Sequence, residues 1–424
     1  MKRTAILLSA LALFGLSTFS ANAQQYKYQT PMPPGVLAPD TLDTRFGTLK
    51  LFGGFPDKPS VDKLYDNLDF QRAVQAYLLG LPVVNQVGNR DNILKIGPAN
   101  TTIPIWETMV DSRTIELTAN DNTPYTWFWV DLHGGPLVIE APPKVLGLVD
   151  DIWYSWIGDI GFTGPDRGEG GKYLLLPPGY KGEVPPGYFV LRPGSYSVWA
   201  VWRSFLVEGN PKPGVDLVKK SLKVYRLADA ANPPTLNFVD MSGKPFNMLA
   251  PADYTFWELL NKVVQEEPTD TIDATTLGFW ASVGIMKGKS FAPDERMKKI
   301  LTEAAAVGDA TARAIVYRWR GADGYWYPDT IKNFWSVIVY DNQTRSMMQT
   351  DQRFPSVSSQ TKGLKVNNDG SVDVYFGPTA PAGEEKNWAQ TIPGKSWNIL
   401  LRLYGPLQPF FDKTWRPGEI ELQS

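Results

Sequence analysis

Two periodicities divide the chain. Between residues 60 and 79 apolar side chains return every three or four positions (Leu64, Leu68, Val74, Tyr77, Leu78), a helical stripe. Ser60 reads as its N-cap, Asp62 lies in the first turn, and Gly80 with Pro82 marks its end. From Thr114 the period falls to two. Runs rich in β-branched and aromatic residues occupy 114–117, 126–132, 137–140, 145–149, 173–176, 188–191 and 195–203, separated by Gly, Pro, Asn and Asp. This is the pattern of an antiparallel sandwich or jelly roll and not of βαβ units. The nearly continuous apolar run 197–202 predicts a strand buried on both faces. Residues 215–227 predict a short helix and then a strand. Helical spacing returns at 251–267 and at 293–320, with an interruption near Gly308. A second β region runs from about Trp326 to Gln423 and contains 334–340, the turn Asn368-Asp369-Gly370 leading into 371–376, and 397–404.

The pattern predicts a mainly β protein with helical insertions. Its layout is a signal peptide (1–23), an N-terminal arm and helical segment (24–110), a first β-sandwich (111–230), a helical connector (231–325) and a second β-sandwich (326–424). The N-terminus carries the signal: basic Lys2 and Arg3, an apolar stretch 5–14, and Ala21-Asn22-Ala23 as a cleavage site, so that the mature chain begins at Gln24. That stretch is short for a membrane span, and the expected location is periplasmic or secreted. Losing the charges of Lys2 and Arg3 takes the net −2 of the chain to −4, a balance without the basic footprint of a nucleic-acid binder. The absence of cysteine excludes thiol catalysis and thiolate metal centres, and His133, the single histidine, excludes a multi-histidine metal site.

The chemistry concentrates between residues 150 and 190. Asp150, Asp151, Asp159, Asp166 and Glu169 crowd one stretch, with Asp131 expected on a neighbouring strand. Two carboxylates whose environments push their pKa values apart suffice for glycosidic hydrolysis. Asp150, Asp151, Asp159 and Asp131 are therefore the catalytic candidates, with Asp151, beside Trp153 and Trp156, expected in the most apolar setting. Against this, acids in Gly-rich loops are mostly solvated turn formers. The same carboxylates, or Asn120 to Asn122, offer oxygen donors for calcium without the EF-hand spacing; no other metal or cofactor is expected. A serine triad through His133 lacks a G-x-S-x-G elbow, and the loop 164–171 is acidic and precedes its strand, unlike a phosphate loop. Trp153, Tyr154 and Trp156 cannot all point inward from an extended segment, so at least one faces a cleft, loop or subunit contact. Trp153, Trp156, Asn120, Asn122, Tyr125, His133 and Asp166 are the ligand-binding candidates. Arg353, with Arg345 nearby, joins them as a fork for an anionic group, although a structural ion pair with Asp351 is the favoured reading.

Further motifs run in a fixed order: Asn120-Asp121-Asn122-Thr123-Pro124-Tyr125, Val130-Asp131-Leu132, Gly135-Pro136, residues 161–180 (GFTGPDRGEGGKYLLLPPGY), Phe334-Trp335-Ser336-Val337, Tyr340-Asp341, Asn387-Trp388 and residues 402–406 (RLYGP). Through them the chain resembles the bacterial exported proteins that pair a domain of unknown function 1254 with a domain of unknown function 1214. It departs from their Asn-x-Asp-Thr pattern, with Asn122 in the aspartate's place. The resemblance implies a double jelly roll and a homo-oligomer, a tetramer in particular, and implies no activity. The expected function is binding of a small-molecule or glycan ligand by an exported, oligomeric double β-sandwich, with a carboxylate-dependent hydrolase acting on a sugar or other small polar substrate as the alternative.

Overall fold

The computed structural model of the protein describes residues 30, 32–317, 331–412, 414, 415, 417, 418 and 420–422. The expected signal peptide (1–23), residues 24–29 of the arm and the segment Tyr325-Trp326-Tyr327-Pro328 lie outside the described residues. The chain divides at Tyr65/Asp66 into two compact units. In the first, residues expected as an extended arm form an antiparallel ribbon of β1 (Thr41–Thr44), β2 (Gly47–Phe52) and β3 (Phe55–Pro56). Helix α1 (Lys58–Ile96) follows. Asp57, not Ser60, caps it: Asp57 Oδ1 accepts the Ser60 N–H at 2.9 Å, while the Ser60 hydroxyl accepts the Lys50 N–H at 2.8 Å.

Helix α1 does not stop at Gly80 and Pro82. Proline inside a helix forfeits a hydrogen bond at a cost of about 3 kcal/mol. Here the turns that follow are buried around their circumference (Val83, Val84, Asn85, Gln86 and Val87), and packing outweighs that cost. Gly80 is a packing position: a Cβ there would lie 3.0 Å from the Leu260 side chain. Gly308 likewise breaks nothing, because it lets the Tyr77 ring lie against an unbroken helix.

The β region of the second unit begins with β4 (Thr102–Trp106), β5 (Thr114–Ile115), β6 (Tyr125–Asp131), β7 (Leu137–Ala141), β8 (Val145–Asp151), β9 (Trp156–Gly161), β10 (Gly171–Leu175), β11 (Phe189–Leu191) and β12 (Ser197–Ser204). Helix α2 (Lys212–Ser221), β13 (Lys223–Arg226), β14 (Asn237–Asp240) and β15 (Phe246–Asn247) complete it. A six-stranded sheet of order β14-β4-β6-β12-β8-β9 faces a four-stranded sheet of order β11-β10-β7-β13. Between them lies an apolar core that includes Phe128, Val130, Ala200, Trp202, Ile139, Leu175 and Val224.

Helices α3 (Thr255–Glu266), α4 (Ala274–Ser282) and α5 (Glu295–Tyr317) come next. The chain closes with β16 (Ile331–Asp341), β17 (Ser356–Ser358), β18 (Tyr375–Gly377), β19 (Trp388–Gln390), β20 (Trp397–Pro406) and α6 (Gln408–Phe411). Strands β17, β16 and β20 form one sheet and β18 and β19 another, around Val339, Met348, Val357 and Ala389. Of the strand expected at 371–376, only Tyr375 and Phe376 pair, in parallel with β19. The protein is thus mainly β, with several sheets and a few helices. A second large core joins α1, α3, α4 and α5 to the outer face of the six-stranded sheet and to Ile338, Tyr340 and Met347 of the C-terminal β region.

Candidate functional site

Strand alternation gives the six-stranded sheet two unlike faces. Even-numbered residues of β6 and β12 enter the sandwich core, whereas Tyr125, Trp127, Trp129, Trp199, Val201 and Arg203 point the other way, toward the helices and the C-terminal β region. Strand β12 pairs with β6 on one side and β8 on the other, which lines residues up in rows. One row reads Trp129, Trp199, Asp150, Trp156 from the buried middle of the sheet to its edge. Two steps along stand Trp127, Val201, Leu148 and Asp159, and two further Tyr125, Arg203, Leu146 and Gly161. Gly147 on β8 permits this spacing, since a Cβ there would overlap the Val201 carbonyl and the Trp202 Cβ.

Asp150 is the chemical centre of this face. It is 7% exposed, and its carboxylate takes part in none of the hydrogen bonds found among the described residues. Burial, reinforced by Asp151 and Asp159, pushes its pKa up to about 6. The indole N–H groups of Trp127, Trp129, Trp153 and Trp199 are buried without a partner among the described residues. Tyr154 stacks along Trp199, with ring centroids 6.3 Å apart, and holds φ +65°, a left-handed backbone that a bulky residue adopts at a cost. Its phenol is pushed up to about 12 by burial and by the nearby Glu116 and Asp150. Glu116 buries an Oε2 without a partner among the described residues, and desolvation raises its pKa to about 8 against the pull of Arg203 and Arg402.

The far end of the face meets the C-terminal β region. Arg203 Nη1 donates to Tyr404 Oη at 2.8 Å, and Asn120 Nδ2 bonds the same oxygen. Arg402 donates to Tyr340 Oη at 2.6 Å and to the Thr118 carbonyl, and Tyr340 Oη donates to the Ala119 carbonyl at 2.7 Å. Thr118, a β-branched residue at φ +53°, is held by its N–H on the Arg345 carbonyl at 2.9 Å. Burial pushes Asp121 in this seam up to about 6 despite the Ser356 hydroxyl and Arg402. A pocket of about 160 Å³ opens on the same face, lined by Tyr125, Arg203, Asp159, Leu146, Leu148 and Val201 among others.

The sequence candidates separate on this frame. Asp150, Asp159, Trp153 and Tyr125 belong to the face; Trp156 stands at its edge, 64% exposed, with its indole N–H on Asp159 Oδ1 at 2.9 Å. Asp151 is buried with a raised pKa, and its Oδ1 accepts the Trp153 and Ser155 N–H groups and so closes the turn after β8. Asp131 is not on a strand beside Asp150, because β12 runs between β6 and β8. It is exposed and bonded to His133 Nδ1 at 2.6 Å, and the His133 ring stacks on Tyr196. Asp166 accepts the Gly161 and Gly170 N–H groups and the Tyr173 hydroxyl, which engages one of the carboxylates that the sequence offered as a calcium donor. Among the described residues no group of three or more acidic or imidazole side chains converges as cation ligands. Asn120 Oδ1 accepts the Asn122 N–H, an Asx turn that aims Asn120 at Tyr404. Arg353 pairs with Asp111 at 3.2 Å and not with Asp351, because the 349–353 loop lies against 108–113. Burial raises the Asp111 pKa, but Arg113 and Arg353 pull it below the usual carboxylate range. Glu116, Trp127, Trp129, Trp199 and Arg203 are not among the sequence candidates, although they lie in the strand runs 114–117, 126–132 and 195–203, and Arg402 opens the motif 402–406.

The fold and face define a two-part β protein whose polar seam joins an N-terminal sandwich to a C-terminal β region. The chain belongs to the proteins that pair these two domains in this order: the family described as Protein of unknown function (DUF1254) matches residues 100–226, and Protein of unknown function (DUF1214) matches residues 300–408. The structure is similar to that of the VPA0106 protein from Vibrio parahaemolyticus, with a TM-score of 0.51 and 16% identity over 81% of this chain and 96% of that one, a likeness of fold alone. An uncharacterised protein from Burkholderia cenocepacia aligns over 82% of this chain and 93% of its own at 14% identity, with a TM-score of 0.36. No curated protein matches the sequence.

Proposed function

We propose that the protein binds a small polyhydroxylated ligand, a saccharide, on the outer face of the six-stranded sheet. The carrying observation is the row Trp129, Trp199, Asp150, Trp156, with an unpaired carboxylate in its middle and partnerless indole N–H groups around it. Indoles donate only, and an unengaged carboxyl accepts, or donates when protonated. A sugar supplies the match: its hydroxyls accept from indoles and donate to Asp150, while its C–H faces lie on the rings. Each unsatisfied buried group costs roughly 1 to 3 kcal/mol, a cost that such a ligand offsets. Isothermal titration of the mature chain against a panel of mono- and disaccharides tests the reading. Saturable binding abolished by Asp150→Asn supports it; no binding across the panel, or binding indifferent to that substitution, removes it.

The hydrolase reading draws on one further observation. Asp150, shifted toward the protonated acid, and Asp159 are diagonal neighbours on β8 and β9. Such diagonal neighbours lie roughly 7 to 8 Å apart, with their Cβ atoms somewhat closer, a separation from which the two carboxyl groups can reach the spacing of inverting glycosidases, about 6.5 to 9.5 Å. Release of new reducing ends from a bound disaccharide, lost in Asp150→Asn, would make the protein an enzyme. A bound but uncleaved disaccharide would leave it a binding protein.

Export, a homo-oligomer and jelly-roll topology in both β regions complete the proposal. The sheet pair around Val339 and Val357 beside the larger sandwich supports the topology. A mature N-terminus at Gln24 and a multimer by light scattering are the expected results. An intact N-terminus with monomeric mass would refute export and assembly.

A further inference from the structure

We infer that the ligand is anionic: a saccharide bearing a carboxylate, which seats on the Arg203 guanidinium and the Tyr125 hydroxyl at the end of the aromatic face. The inference rests on the saccharide reading and adds the charge. Arg203 spends Nη1 on Tyr404 and leaves Nε and Nη2 outside every hydrogen bond and ion pair found among the described residues. Those two atoms form the edge of the guanidinium that takes a carboxylate through two parallel hydrogen bonds. Tyr125 stands directly opposite on β6, with Arg203 over its ring at 5.1 Å. It is 7% exposed, its hydroxyl has no partner among the described residues, and both side chains line the pocket of about 160 Å³. A cavity of about 150 Å³ takes a molecule the size of benzene, so this one accommodates a carboxyl group with the carbons around it.

Charge points the same way. Arg402, the other guanidinium of the seam, also enters no ion pair among the described residues. Glu116 lies near both arginines, but burial pushes its pKa to about 8 and so weakens it as a counter-charge to Arg203 at neutral pH, while Asp159 lines the same pocket. The Arg203 row is four residues from the Trp199 row, about 13 Å at 3.3 Å per residue. A ligand that reaches both is therefore longer than one sugar ring, which selects an acidic disaccharide over a monosaccharide acid.

The test compares digalacturonate with its fully methyl-esterified form, the same rings without charge, by titration calorimetry on the mature chain. The acid is expected to bind about 10- to 100-fold tighter than the ester, the range of a charge-assisted hydrogen-bond pair. Arg203→Gln should erase that difference by weakening the acid alone, and Tyr125→Phe, the milder change, should reduce it with the fold intact by circular dichroism. Equal binding of acid and ester overturns the carboxylate subsite and leaves the saccharide reading standing. A difference that survives Arg203→Gln and Tyr125→Phe in folded protein overturns the assignment to these residues. Binding of neither compound overturns both readings.

Discussion

The two faces of the six-stranded sheet are made by the same strands and differ in almost everything else. Phe128, Val130, Val198, Ala200 and Trp202 close against the four-stranded sheet in an apolar core, where the Trp202 indole N–H has no partner among the described residues. One residue away on each strand, the other face carries three indoles without a partner among the described residues (Trp127, Trp129 and Trp199), a desolvated Asp150, Tyr125 and Arg203, with Trp153 in the turn after β8. Period-two alternation lets one set of strands hold an apolar core on one side and a largely buried, chemically loaded face on the other. Elsewhere the chain satisfies its buried indoles: Trp106 donates to Thr114, Trp257 to the Leu301 carbonyl and Trp280 to the Ala76 carbonyl. Apart from Trp202, the buried indoles without a partner among the described residues are Trp127, Trp129, Trp153 and Trp199, all in the core on the side where a ligand is proposed, the place at which stability is characteristically given up for function.

The largest effect that sharpens this contrast is on the core face. Phe128→Ala should destabilise the protein by about 3 to 5 kcal/mol, through lost burial and the cavity left behind. Urea unfolding measures it, and a loss below 1 kcal/mol would mean that the sandwich is not the dry core described.

Asp150→Asn should do the reverse. The folded pKa of Asp150, about 6, lies above its value in the unfolded chain, near 3.8. Its contribution is therefore fully present below pH 3.8 and is lost as pH rises to 6. Asparagine escapes that loss, so the variant should match wild type near pH 3.8 and gain stability up to a plateau above pH 6, of order 3 kcal/mol at most. Glu116→Gln should show the same sign over a different window, its advantage growing from pH 4.5 until about 8. Thermal melts of the two variants across pH 3.5 to 9 separate them. Coincident windows, or a loss of stability at pH 7 in either, would contradict the burial assigned to these acids.

Much of the fold was legible because alternation and Gly/Pro punctuation agree at β6, β7, β8, β10, β12, β16 and β20. The misses have physical causes. Strand β4 (TIPIW) carries a proline and β9 (WIGDIG) two glycines, residues that mark loops by composition but are here held by pairing with β6, β14 and β8. Gly80 and Gly308 read as helix breakers, although what they supply is room for Leu260 and Tyr77, contacts remote in sequence. Asp150 and its tryptophans were legible as a cluster. Trp129, Trp199 and Arg203 were not, because only the register of β6 on β12 and β12 on β8 puts them in line with Asp150 and its neighbours. Glu116 reads as one residue of a strand, and its burial beside Arg203 and Arg402 exists only once the C-terminal β region has packed.

The smallest effect is expected away from both faces. Asp131→Asn, at an exposed pair with His133, should change stability by less than about 0.5 kcal/mol and leave saccharide affinity unaltered. A marked loss of affinity would move the site to the strand end.

The most direct test follows the indole N–H resonances of protein labelled with nitrogen-15 tryptophan, assigned by single Trp→Phe substitutions, as a disaccharide ligand is added. The signals of Trp127, Trp129, Trp153 and Trp199 should shift saturably while those of Trp202 and Trp257 stay in place. If the four do not move, or move no more than the two, the loaded face of the sheet is not the binding site.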